Sequence, residues 1–287
     1  MLLHEVCKLG NEKTVADLLK VGVHPDTRDG RGNTPLYLAC REGHTDLVNL
    51  LLEHGADKES KTHEGATPLN IASKNGHTDV VKVLLEYGAG KETKTSDRAI
   101  PLLLASENGH PDVVKVLLKY GAEADTETSE GTTPLLLASQ NGHTDVVKVL
   151  LDCGAAIETK TRDGATALLF ASQNGHTDVV TVLLECGAET DTKTSEQATA
   201  LWMASQNGHS DVVKILLKYG AEKETKTPDG ITPLYQASQN GHTDVVKVLL
   251  KCGAEKEVKT PEGITALYQA SQNGHIDVVK ELLKYGA

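Results

Sequence analysis

Apolar and polar positions along this chain fall into two blocks that keep returning. Residues 133–140, "TPLLLASQ", and residues 144–151, "TDVVKVLL", each carry apolar side chains at helical spacing, separated by a short polar Asn-Gly-His. The stretch "SQNGHTDVVKVLL" at 139–151 returns unchanged at 238–250, and Gly-His-x-Asp-x-Val occurs eight times. Rows beginning at residues 1, 34, 67, 100, 133, 166, 199, 232 and 265 bring every Gly-His pair into one column without insertion or deletion, the ninth row being truncated. One unit of this length cannot bury its own apolar face, so a fixed period predicts like units stacked on one another around a continuous core.

Each row predicts two helices and a connection. Thr34-Pro35, Thr67-Pro68, Thr133-Pro134 and Thr232-Pro233 place a capping oxygen before a proline at the first helical position, where its missing N–H costs nothing. That helix ends at Asn75-Gly76 or Asn141-Gly142, where glycine can adopt the left-handed conformation. The second helix follows Gly-His; Asp79, Asp145 and Asp244 put negative charge near its positive end, and Val146, Val147, Val149, Leu150 and Leu151 form a broad apolar face. Gly154-Ala155 stops it. The polar stretch 156–165, with Asp-Gly near its end, predicts a projecting two-residue-turn hairpin or an extended loop.

The period together with "TPLYLA" (34–39), "TPLNIA" (67–72), "TPLLLA" (133–138) and "TPLYQA" (232–237) resembles the ankyrin repeat. The resemblance covers residues 1–287 as a single ankyrin-repeat domain. It implies an all-α fold, an ankyrin-repeat solenoid of stacked helix-turn-helix units with projecting β-hairpin loops. Departures are visible. The histidine of the family signature is replaced in the eight rows after the first, by Tyr37, Asn70, Leu103, Leu136, Leu169, Trp202, Tyr235 and Tyr268. Alanine replaces proline at Ala167, Ala200 and Ala266. Arg98 and Gln197 stand where Gly65 and Gly164 mark the turn; if the turn needs positive φ, each substitution costs on the order of 1 kcal/mol and those turns are expected to be differently shaped.

Charge and chemistry narrow the function. A formal net charge of −11 disfavours nucleic acid and anionic membrane surfaces, whose binding depends on lysine and arginine. No apolar run is long enough to span a membrane and Met1-Leu2-Leu3 leads straight into His4-Glu5, so a soluble protein without membrane insertion is expected. Cys153, Cys186 and Cys252 share one column, Cys7 and Cys40 another. Column members one repeat apart stand about one helix spacing from each other, roughly 8–10 Å, beyond the roughly 7 Å limit for a disulfide. Reduced thiols in the cytoplasm or another reducing compartment fit best. The histidine column, His44 to His275, is too widely spaced to share a metal ion; the resemblance implies instead that each ring bonds backbone of its own or the next repeat. No nucleophile elbow, zinc-protease motif, phosphate loop or dinucleotide fingerprint occurs, so neither an enzyme nor a cofactor is expected.

Binding is therefore sought where rows differ. On the first helix Leu135, Ala138 and Ser139 share the core face, while Leu136, Leu137 and Gln140 point away, toward what the family presents as its concave surface. Candidate partner-binding residues on that stripe are Tyr37, Leu103, Leu136, Phe170, Trp202, Met203, Tyr235 and Tyr268, with Gln173, Gln206 and Gln239 one turn on. Trp and Tyr are favoured interface anchors, so the stripe reads as a groove for an extended peptide or partner helix; the alternative is that these side chains fill space between helices. Variable loop tips, Arg162-Asp163, Ser195-Glu196 and Pro228-Asp229, are further contact candidates. The function expected is a non-enzymatic module binding a protein or peptide partner. The other reading is a spacer or targeting segment of a larger protein. Val278, Val279 and Leu282 in the truncated row match interior rows, which leaves open fraying, a longer chain, or self-association through an uncapped C-terminal repeat.

Overall fold

Threonine at the head of each row captures the backbone where the sequence places it. A computed structural model describes residues 2–96 and 98–287. In it the side chains of Thr34, Thr133, Thr166, Thr199 and Thr232 accept hydrogen bonds from the amides of Tyr37, Leu136, Leu169, Trp202 and Tyr235. At Thr67 the bond is reciprocated, Asn70 Oδ1 accepting from the Thr67 amide at 2.9 Å. Row four has Ile100 at this place and no side-chain cap. Proline and alanine serve equally at the next position: Pro134–Gln140 and Ala167–Asn174 are both helices.

Among the described residues there are eighteen helices, two per row, and no β-strand. The connecting loops close as single turns rather than hairpins with strands. In row five the Thr161 amide donates to Ala165 O at 3.0 Å and the Gly164 amide to Thr161 O at 2.9 Å. Arg98 and Gln197 lie at φ 62° and 63°, in the left-handed region, yet their turns keep this same bonding, with Thr194 N to Ala198 O at 3.0 Å and Gln197 N to Thr194 O at 2.9 Å. The expected change of turn shape does not occur; the closing bonds hold the turn and the backbone of these two residues bears the strain.

The described residues form two compact units, residues up to 129 with 152–155, and 130–151 with 156–287. Within each, first helices pack on first helices of the neighbouring row and second helices on second helices. In the first unit Pro35–Glu42 packs on Pro68–Lys74, and Thr45–Glu53 on Thr78–Glu86. In the second, Ala167–Asn174 packs on Ala200–Asn207, and Thr177–Glu185 on Ser210–Lys218. The core of each unit is the valine and leucine of the second helix with the leucine and alanine of the first: Val179, Val180, Leu183, Leu168 and Ala171 are buried.

One column inside this core is polar. Ser73, Ser106, Ser139, Ser172, Ser205 and Ser238 are fully buried, and their hydroxyls find no hydrogen-bond partner among the described residues. Cys7 and Cys40 occupy the same column and are also buried. Burial pushes the Cys7 thiol up to about 12 and the Cys40 thiol well above the usual range, so both act as small packing groups.

Rows are pinned to each other by side chains bonding backbone. His77 Nε2 meets Arg41 O at 2.9 Å, and His176, His209, His242 and His275 reach the carbonyls of Gln140, Gln173, Gln206 and Gln239 at the same distance. The expected direction was the same repeat or the next; the ring in fact reaches back to the preceding one. Asn75, Asn174, Asn240 and Asn273 donate to the same carbonyls, whereas Asn108 and Asn207 bond their own helix.

Candidate protein-binding surface

A first helix inside a stack has neighbours on three sides: its own second helix and the first helices of the rows before and after. Only a narrow strip can stay open. Leu136 lies 100° from the core leucine and Leu137 lies 200° from it, and the structure separates them. Leu103, Leu136 and Tyr235 are buried at 2%, 1% and 8% exposure, while Leu104 and Leu137 in the next position are half-buried. The expectation that both positions point outward is corrected for Leu103, Leu136 and Tyr235, because the adjoining row covers that flank. Tyr235 shows the contact directly: its hydroxyl donates to Gln269 Oε1 of the following row at 3.1 Å.

The other candidates divide as follows. Phe170, Trp202 and Met203 are half-buried, as are Tyr37, Gln206 and Gln239; Gln173 is exposed. The indole Nε1 of Trp202 is shut away from solvent and meets no acceptor among the described residues, which marks this ring as partly a packing group. Tyr268, in the last row, is 58% exposed, as no further row packs on its flank here. Ile276 and Leu283 of that row are exposed as well.

Loop tips and first helices together line a depression in each unit. In the second unit a groove of about 760 Å³ has a floor of Leu169, Phe170, Met203, Gln140 and Gln173. Its wall is built from Glu130, Arg162, Asp163, Ser195 and Glu196. In the first unit a smaller one of about 420 Å³ is lined by Tyr37 and Arg41 of the helix and by Arg31, His63 and Glu64 of the loops. Burial raises the Tyr37 hydroxyl above its ordinary pKa, with the Arg41 guanidinium opposing and Glu64 adding to the shift. Phe170, Met203, Gln173 and the Arg162-Asp163 and Ser195-Glu196 tips, reached separately from sequence, therefore meet in one groove. Trp202, Tyr235, Gln206 and Gln239 are not among its lining residues.

The wall is held in place from row to row. The Ser195 amide donates to Asp163 O at 2.9 Å, and in the first unit Ser96 Oγ donates to Glu64 O at 2.7 Å. Deeper in the loops a carboxylate accepts from a backbone amide of the following row: Asp26 from Asp57 at 2.9 Å, Glu59 from Gly90 at 2.7 Å, Glu158 from Glu189 at 2.9 Å, Asp191 from Glu222 at 2.9 Å and Glu224 from Glu255 at 2.8 Å. Sequence reading passed over these residues, although an acid recurs at this column from Asp26 to Glu257.

The His column is engaged with backbone as described above, and no group of His, Cys, Asp and Glu among the described residues is arranged to hold a metal ion. No described helix is long and apolar enough to cross a membrane.

These features, capped helix pairs repeated at one period and tied by histidine to the preceding row, define a helical repeat protein. A family model for ankyrin repeats matches residues 3–97, 90–161, 157–227 and 201–287, and the chain belongs to the ankyrin repeat family. No curated protein matches it. Ankyrin repeats are generally protein–protein interaction modules, and the family is typically non-enzymatic.

Proposed function

We propose that the chain is a protein-recognition module that seats an extended polypeptide in the groove of the second unit, between the loop tips and the first helices. The observation that carries this reading is the juxtaposition of Phe170 and Met203, half-buried and side by side on the groove floor, with a polar wall already fixed by inter-row hydrogen bonds. Apolar side chains left partly open between polar rims are what a partner's anchor residue covers. A wall that does not need to order on binding spares the complex that entropic cost.

Peptides selected from a displayed random library on the intact chain test this. A Phe170→Ala/Met203→Ala variant should bind the selected peptides at least about tenfold more weakly, two anchors together contributing more than about 1.4 kcal/mol, with its thermal midpoint close to that of the parent. Undiminished binding by a folded variant would place recognition elsewhere.

A further inference from the structure

We infer that the segment taken by the groove of the second unit is cationic, with lysine or arginine side chains against the loop tips and an apolar side chain on Phe170 and Met203. This rests on the function proposed above and specifies the partner's chemistry. Glu130, Asp163 and Glu196 line the groove against the single cation Arg162. The chain's net charge of −11 adds a field of the same sign, so a basic segment is attracted from beyond contact distance and an acidic one is repelled.

The acid at the loop tip is not an accident of one row. The column reads Glu64, Asp97, Glu130, Asp163, Glu196, Asp229 and Glu262, acidic in rows two to eight, and Arg31 in the first. Turn chemistry accounts for aspartate before glycine but gives no reason for glutamate, which has no such turn preference. The side chains of Asp163 and Glu196 are exposed, and neither is matched to a hydrogen-bond or ion-pair partner among the described residues. Acids elsewhere in the same loops do have one: Glu158 and Asp191 accept backbone amides of the next row. Beside the acids committed to the fold, Glu130, Asp163 and Glu196 of the second column line the groove. The depression in the first unit carries the opposite balance, with Arg31, Arg41 and His63 set against Glu64. The negative lining of the second-unit groove is therefore not shared by this first-unit depression.

The experiment compares residue composition among displayed random peptides selected on three baits: the intact chain, Asp163→Asn/Glu196→Gln, and Asp163→Lys/Glu196→Lys. Circular dichroism melting verifies that each bait is folded. On the intact chain, selected peptides should be enriched in Lys and Arg over the input library. Their affinity should fall as salt rises, and by roughly tenfold on the neutralised bait, each exposed ion pair being worth up to about fivefold. The lysine bait should select Asp- and Glu-rich peptides instead. Enrichment of acidic residues on the intact chain, or the same composition on all three baits, overturns the inference while leaving the groove in place. Peptides that are basic yet bind the Phe170→Ala/Met203→Ala variant undiminished overturn the groove as their site, and absence of any selected peptide counts against both readings. Tighter binding of an RNA oligomer than of any peptide also overturns it.

Discussion

Gln197 occupies a left-handed backbone position, φ 63°, inside a turn whose closing bonds match those of the glycine-bearing rows. An L-residue there costs roughly 1–2 kcal/mol, and glycine's greater freedom in the unfolded chain returns roughly 0.5–1 of that. Gln197→Gly should therefore stabilise the protein by about 0.5–1 kcal/mol in chemical denaturation, and a midpoint that falls instead would show that the glutamine side chain contributes contacts that outweigh its strain. This substitution was legible in sequence as a break in the glycine column. That the turn would keep its shape was not, because the bonds that hold it are backbone to backbone and leave no trace in residue identity.

At the scale of the helix pair, the turn between first and second helices is where packing and conformation meet. A Cβ at Gly208 would lie 2.6 Å from the ring of His242 in the next row, while one at Gly274 meets nothing within 4 Å; both residues have positive φ, 79° and 75°. Gly208→Ala and Gly274→Ala therefore share a conformational penalty and differ by the steric one. The difference in their unfolding free energies should be about 1–3 kcal/mol, the usual cost of overpacking. Equal losses would mean that the histidine ring yields freely. The sequence predicts the helix pairs from their apolar spacing, with the first-helix cap marked by Thr-Pro in rows two, three, five and eight. It divides the first helix less well: a period of 100° per residue identifies the core-facing Leu135, but the cover over Leu136 and Tyr235 comes from an adjoining row, whose placement the single-helix geometry does not contain. The carboxylate column from Asp26 onward was missed for a related reason, since its partners are amides, common to all residues.

For the molecule as a whole, stability is a sum of rows and of the contacts between neighbouring rows. Leu69 in the first unit is buried at 1%, and Leu69→Ala should remove about 2–5 kcal/mol. Amide exchange should quicken in Pro68–Lys74 and the helices packed on it, Pro35–Glu42 and Pro101–Glu107, while Ala200–Asn207 and Pro233–Gln239 in the second unit keep their protection. Uniform loss of protection along the chain would show that the rows unfold together. The family is recoverable from the period and its signature residues, and the groove only in part. Its apolar floor follows from helix phase, whereas its wall depends on loops whose projection the sequence marks only by turn residues.

The rings and carboxylates that fasten one row to another carry a consequence for how such a chain changes length. His209 and His242 reach Gln173 and Gln206 by the same step of residues, and Glu158, Asp191 and Glu224 do likewise toward the amides they hold. Cutting out one full period from the interior would rejoin each donor to an acceptor of the same kind, with no polar group stranded. Removing a residue more or fewer would leave every fastening across the junction facing the wrong atom, so growth and loss by whole rows are the changes in length that this architecture tolerates.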